Sequence, residues 1–232
     1  MELYFGLLVI SLVFGLIGAA VSARLKSVFK TYSREPFPTG MSGRDIAARM
    51  LHDHGITDVS IQSVPGKLTD HYNPREKTVN LSPEVHDGRS VAAAAVAAHE
   101  VGHAVQHATA YAWLGMRSKL VPVVNVSSKL MRWVMMAALI GLFGFENPVM
   151  LFIALVLQGA IMAFALVTLP VEFDASKRAM VWLDETGMAG RGGPAYQGAR
   201  TALKWAGMTY FVAALASVAQ FLYLLALFLR RR

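Results

Sequence analysis

The chain has no cysteine among its 232 residues. Disulfides and thiolate ligands are thereby excluded, and any bound metal must be held by His, Asp or Glu. Charge is also scarce, at 16% of residues against 55% hydrophobic, which is not the balance of a soluble domain. Acidic residues are the scarcer sign, 15 against 22 Lys and Arg, for a net charge of +7. No nucleic-acid-binding motif accompanies that surplus, so no nucleic-acid partner is expected. The basic residues cluster beside apolar stretches, where membrane orientation and anionic lipid headgroups account for them.

What the chain has in abundance is apolar sequence. Leu3 to Ser22 is long enough to cross a bilayer. The small residues Ala19 to Ala23 resemble a signal-peptide cleavage site. No basic residue precedes the run, however, and Arg24, Lys26, Lys30 and Arg34 follow it, so an uncleaved anchor with its N-terminus outside is expected. Met131 to Phe145 is a shorter apolar segment with Arg132 placed to snorkel, Glu146-Asn147-Pro148 makes a turn, and Val149 to Leu169 returns. Pro170 is expected to kink or break the chain ahead of a polar-faced helix ending near Gly187. After a flexible connection from Gly190 to Pro194, a short helix from Ala195 to Ala206 leads into a last span, Met208 to Leu229, closed by Arg230-Arg231-Arg232. Counting basic residues near the spans puts Arg117, Lys119, Lys129, Arg132, Lys177, Arg178 and Lys204 in the cytoplasm with the first cluster. The terminal arginines then break the rule locally.

Between Arg34 and Lys119 the chain turns soluble in character. A linker from Glu35 to Gly40 precedes a helix capped by Ser42 and running to about His54, with Ile46, Met50 and Leu51 on its apolar side. Val59 to Val64 alternates as a strand. Lys67 to Tyr72 and Lys77 to Leu81 read as a hairpin across Asn73-Pro74-Arg75-Glu76. Ser82 or Asp87 leads into a long helix over roughly Arg89 to Ala112, whose upstream Ala residues suit burial inside protein better than lipid contact. The expected fold is a mostly α membrane protein with about four transmembrane helices and a small α+β zincin-like (gluzincin) domain. Its segments are an anchor over 1–23, the zincin-like domain over 24–130, a transmembrane hairpin over 131–170, a second catalytic segment over 171–207, and a last transmembrane helix with a basic tail over 208–232.

That long helix carries His99-Glu100-Val101-Gly102-His103, an H-E-x-x-H motif. On a helix, residues four apart share a face, so the two imidazoles can converge on one ion, expected to be a single Zn2+, with Glu100 beside them to take a proton from water. A third ligand is needed. Gln106 and Thr109 stand where a metzincin would have Gly and His, and His107 continues the same helical row, where a solvated or hydrogen-bonded role is expected. His52, His54, His71 and His86 are expected on the surface or in loops. Glu172, on a second helix, is the better candidate; the competing role for it is pairing with Lys177 or Arg178. Ser176, one turn on, could orient a ligand. Asp174 points elsewhere on an ideal helix and is expected in solvent. Tyr210 and His71 are the candidate donors to a developing oxyanion, and the sheet edge could align an extended substrate.

The segments GKLTDHYNPREKTVNLS, SVAAAAVAAHEVGHAVQH, LPVEFDASKRA and TYFVAAL together resemble the YugP-type membrane zinc metallopeptidases of bacteria, over nearly the whole chain. More distantly the chain is similar to the HtpX-type and CAAX-prenyl membrane proteases, which pair H-E-x-x-H with E-x-x-x-D; Ser176 replaces that Asp here. The resemblance implies His99, His103 and Glu172 as ligands and Glu100 as the catalytic residue. The family supplies no substrate; a membrane-associated peptide or protein is expected, in a multi-pass protein of the bacterial plasma membrane whose metal site the count of basic residues puts on the cytoplasmic side. The alternatives are a site-2-type intramembrane protease, for which Asp184 would be the weak further ligand, and a non-enzymatic metal-stabilised membrane scaffold.

Overall fold

The computed structural model describes residues 2–139 and 147–230. The elements run α1 (Glu2–Tyr32), α2 (Gly43–Asp53), β1 (Ser60–Ser63), β2 (His71–Asn73), β3 (Thr78–Leu81), α3 (Pro83–His86), α4 (Val91–Ala108), α5 (Ala112–Leu139), α6 (Pro148–Glu185) and α7 (Pro194–Arg230). Among the described residues three helices are long and apolar enough to cross a membrane: α1 from Phe5, α6 and α7. The far end of the expected Met131–Phe145 segment, Glu146 of its turn, and Arg231 and Arg232 lie outside the described residues.

The chain divides into two compact units. One takes α1 as far as Ala20, α5 from Met116, α6 as far as Leu169 and α7 from Thr209. Leu7, Leu151, Ala154, Leu155 and Leu224 are buried in it. A polar thread also runs through this unit: the Gln158 amide donates to the Ser217 carbonyl (3.2 Å) and to Gln220 (3.1 Å), and Gln220 donates to Ser11 (3.2 Å). In an apolar bundle such bonds satisfy side chains that lipid could not.

The other unit spans Val21–Gly115 and Pro170–Met208. Its helix α2 begins with a reciprocal cap, in which Asp45 N–H donates to the Ser42 hydroxyl and Ser42 N–H to the Asp45 carboxylate. Ile46, Ala47, Met50 and Leu51 of α2 are buried, as their helical spacing predicts. The sheet order is β1-β3-β2, with β1 parallel and β2 antiparallel to the central β3. All four residues of β3 are buried, whereas β2 leaves one edge unpaired. The expected hairpin is present, but its first strand is short, three residues instead of Lys67 to Tyr72.

Three further expectations need correction. The motif helix runs from Val91 to Ala108, capped by Ser90 and not by Ser82 or Asp87, which flank the short α3 instead. It stops before Ala112 because Ala110 adopts φ +51, and Tyr111 N–H turns back to the Gln106 carbonyl. Pro170 does not break its helix: α6 continues from Pro148 to Glu185. A proline removes one backbone bond and crowds a carbonyl, and a helix of 38 residues absorbs that local loss. Likewise α7 is continuous from Pro194, with no separate short helix before it.

The helix-to-helix approach that matters is α4 against the second half of α6. A Cβ at Gly102 would meet the Ala175 carbonyl oxygen at 2.6 Å, and Ala175 itself is fully buried. Glycine inside a helix ordinarily weakens it; here it lets two backbones touch. Gly102→Ala is expected to destabilise the protein by about 1–3 kcal/mol, measured as a lowered unfolding temperature in detergent; an unchanged transition would contradict the close crossing.

Candidate metal centre

The motif helix and α6 bring three side chains together. His99 and His103 stack edge-on, with ring centroids 4.8 Å apart and planes at 81°. Nε2 of His99 lies 3.4 Å from Glu172 Oε2, and Nε2 of His103 lies 3.7 Å from the same oxygen. One ligand atom from each of the three falls within 4.8 Å of the others. Two ligands on a tetrahedral zinc with bonds near 2.1 Å sit about 3.4 Å apart, so the spacing fits one ion of that size. Two imidazoles and a carboxylate are also a donor set that zinc accepts while keeping a position open. Glu172 is 3% exposed and His103 6%. Arg178, one of the two competing partners expected for Glu172, donates instead to Asp174 at 2.6 Å.

The other ring nitrogens are engaged too. The Ser176 hydroxyl, one turn after Glu172, lies 3.1 Å from His99 Nδ1. His103 Nδ1 lies 3.0 Å from Gln106 Oε1. The Gln106 amide nitrogen donates to the Val171 carbonyl and to the Asp174 carboxylate, each at 2.8 Å. Asp174 is therefore not a solvated residue as expected from its helical angle. The long Gln106 side chain of the close-packed neighbouring helix reaches it. Gln106 was legible only as a departure from a metzincin. Its position three residues after His103, hence on the same helical face, is the signal that could have marked it.

Glu100 is 7% exposed. Burial pushes its carboxyl above the ordinary carboxylate range, Glu172 and Asp70 add to that push, and His99 and His103 oppose it. A carboxyl poised higher than usual is the better general base near neutral pH. For His103, burial disfavours the charged ring, but the bond to Glu172 and the negative charges of Glu100 and Glu172 outweigh it and raise its pKa.

The remaining candidates lie outside the cluster. His71 opens β2, exposed, with Nδ1 2.7 Å from the Thr69 carbonyl. His107 is hydrogen-bonded through Nδ1 to the Tyr72 hydroxyl at 2.7 Å, in keeping with its expected role. Tyr210 belongs to the unit that contains Leu7 and Leu151, whereas every member of the cluster belongs to the other.

Comparison with known proteins places this arrangement. The family profile described as "Putative neutral zinc metallopeptidase" matches residues 7–229. The chain belongs to that family. It is 38% identical over 209 residues, 90% of each chain, to the protein named "Putative membrane protease YugP" of Bacillus subtilis (strain 168). No solved structure matches it. The resemblance drawn from the four sequence segments is thus borne out, and the site geometry belongs to a relative of a membrane protease.

A raised His103 pKa has a consequence for metal uptake. The ring must lose a proton to offer Nε2, so protons compete with the metal up to a higher pH than at an ordinary histidine, and affinity falls as pH falls through that pKa. Zinc titration calorimetry in buffers of different ionisation enthalpy should show proton release on binding; heats independent of the buffer would contradict this.

Proposed function

We propose that this protein is a glutamate-zincin of the bacterial plasma membrane that hydrolyses peptide bonds in membrane-associated substrates at the cytoplasmic face. The observation that carries the reading is the convergence of His99, His103 and Glu172 within 4.8 Å, with Glu100 buried beside them. Zinc, when bound, supplies a Lewis acid for water and for the scissile carbonyl. Glu100 takes the proton of the attacking water and passes it to the leaving amine. Ser176 holds the His99 ring, and the short α4–α6 distance at Gly102 keeps Glu172 in range. The open edge of β2 accepts the substrate as an added strand. His71 at the start of that strand is the candidate oxyanion donor.

The membrane reading rests on three helices long and apolar enough to cross a membrane, with the apolar run from Met131 proposed as a fourth span. The basic residues following α1 and those near α5 and α6 favour a cytoplasmic site. Against the site-2-type alternative, α4 has only 18 residues and its Ala and Val side chains are buried in the unit's own core. Asp184 stands twelve residues beyond Glu172 on α6, about 18 Å along the helix axis, and the three-ligand cluster forms without it.

Glu100→Gln keeps the ligands and removes the base. Metal content by mass spectrometry should be unchanged, while digestion of casein or a membrane-protein substrate falls by roughly 10²–10⁴-fold. Undiminished cleavage would contradict the mechanism, and unchanged function of that variant in the cell would favour a scaffold.

A further inference from the structure

Gln106 is completely buried, with 0% of its surface exposed, inside an otherwise Ala- and Val-rich stretch of α4. A buried primary amide is costly unless its donors and acceptor are met. Here each is met by a partner whose own chemistry permits one role. The Val171 carbonyl can only accept, and so can an ionised Asp174; both lie 2.8 Å from the amide nitrogen. Asp174 is in turn held by Arg178 at 2.6 Å, and the Arg178 guanidinium lies over the Tyr111 ring at 5.7 Å from its centre. The amide is therefore fixed with its NH2 toward α6 and its oxygen toward His103.

That orientation decides the state of the imidazole. An amide oxygen has no proton to give, so the 3.0 Å contact with His103 Nδ1 requires Nδ1 to carry the hydrogen. Nε2, the nitrogen that faces Glu172, is then the ring atom left to serve as a ligand. The same side chain grips the carbonyl of Val171, the residue immediately before Glu172. One buried amide thus orients the second histidine and anchors the backbone next to the third ligand.

We infer that Gln106 is a positioning residue of the metal centre: it sets the His103 tautomer and locks the α4 ligands to the Glu172 segment, with Asp174 and Arg178 as its buttress. The assignment rests on the metal-site reading above. It gives Gln106 no contact with substrate and no proton to transfer.

The test uses the full-length protein in detergent, with zinc and cobalt as probes. Gln106→Met conserves volume and removes all three bonds. Zinc affinity, measured by competition with a chromophoric chelator, should fall about 10–100-fold, and the visible bands of the Co2+ form should change. A thermal transition of the metal-free variant reports separately on folding. Equal zinc affinity and an unchanged cobalt spectrum would overturn the inference. A second measurement needs no variant: in the zinc-loaded wild type, nitrogen NMR should find the His103 proton on Nδ1, and a proton on Nε2 would equally overturn it. Should the wild type bind neither zinc nor cobalt, the metal-site reading itself fails, and this inference goes with it.

Discussion

A carboxylate at 3% exposure on a helix as apolar as α6 is the constraint from which the rest of this structure follows. Removing an ionised carboxylate from water costs several kcal/mol even after relaxation, and leaving it unpaired is not tolerated. Arg178 does not neutralise Glu172, because it is committed to Asp174. Two imidazoles from α4 stand 3.4 and 3.7 Å from it. For those rings to reach Glu172, the two helices must lie close, and the missing side chain at Gly102 allows it. For the rings to present Nε2 together, their Nδ1 atoms must be engaged elsewhere, and Ser176 and Gln106 lie against them.

The same residues show what sequence can and cannot reveal. His99, Glu100 and His103 were legible because a helical period of 3.6 turns a spacing of four into a shared face. Glu172 was legible as an acidic residue opening a polar-faced segment after an apolar run, where a second helix can bring a carboxylate to the motif. Helix α2 was legible through its cap and its apolar spacing, and β3 with its hairpin partner through turn chemistry. What failed depends on tertiary context. The continuity of α6 through Pro170 and the left-handed Ala110 that ends α4 are local penalties accepted for packing elsewhere. Asp174 was misplaced because an ideal helical angle describes one helix, whereas its partner, Gln106, comes from another 68 residues away.

Membership of a zinc metallopeptidase family and likeness to a bacterial membrane protease give the chemistry its class. The geometry separates the seven histidines. Two are pointed at a buried carboxylate. Others are held elsewhere: His107 bonds to Tyr72, His54 to the Met50 carbonyl, and His86 to Asp87. With no cysteine available, the donor set is hard and borderline, in keeping with a hydrolytic ion and not with a thiolate structural site.

The central claim is that His99, His103 and Glu172 hold one divalent ion between them. Crystals grown with zinc, and diffraction recorded on both sides of the zinc absorption edge, test it most directly. The account predicts a single anomalous peak within about 2.0–2.2 Å of His99 Nε2, His103 Nε2 and a Glu172 oxygen. A map with no peak there, or with the ion held by other residues, would contradict it.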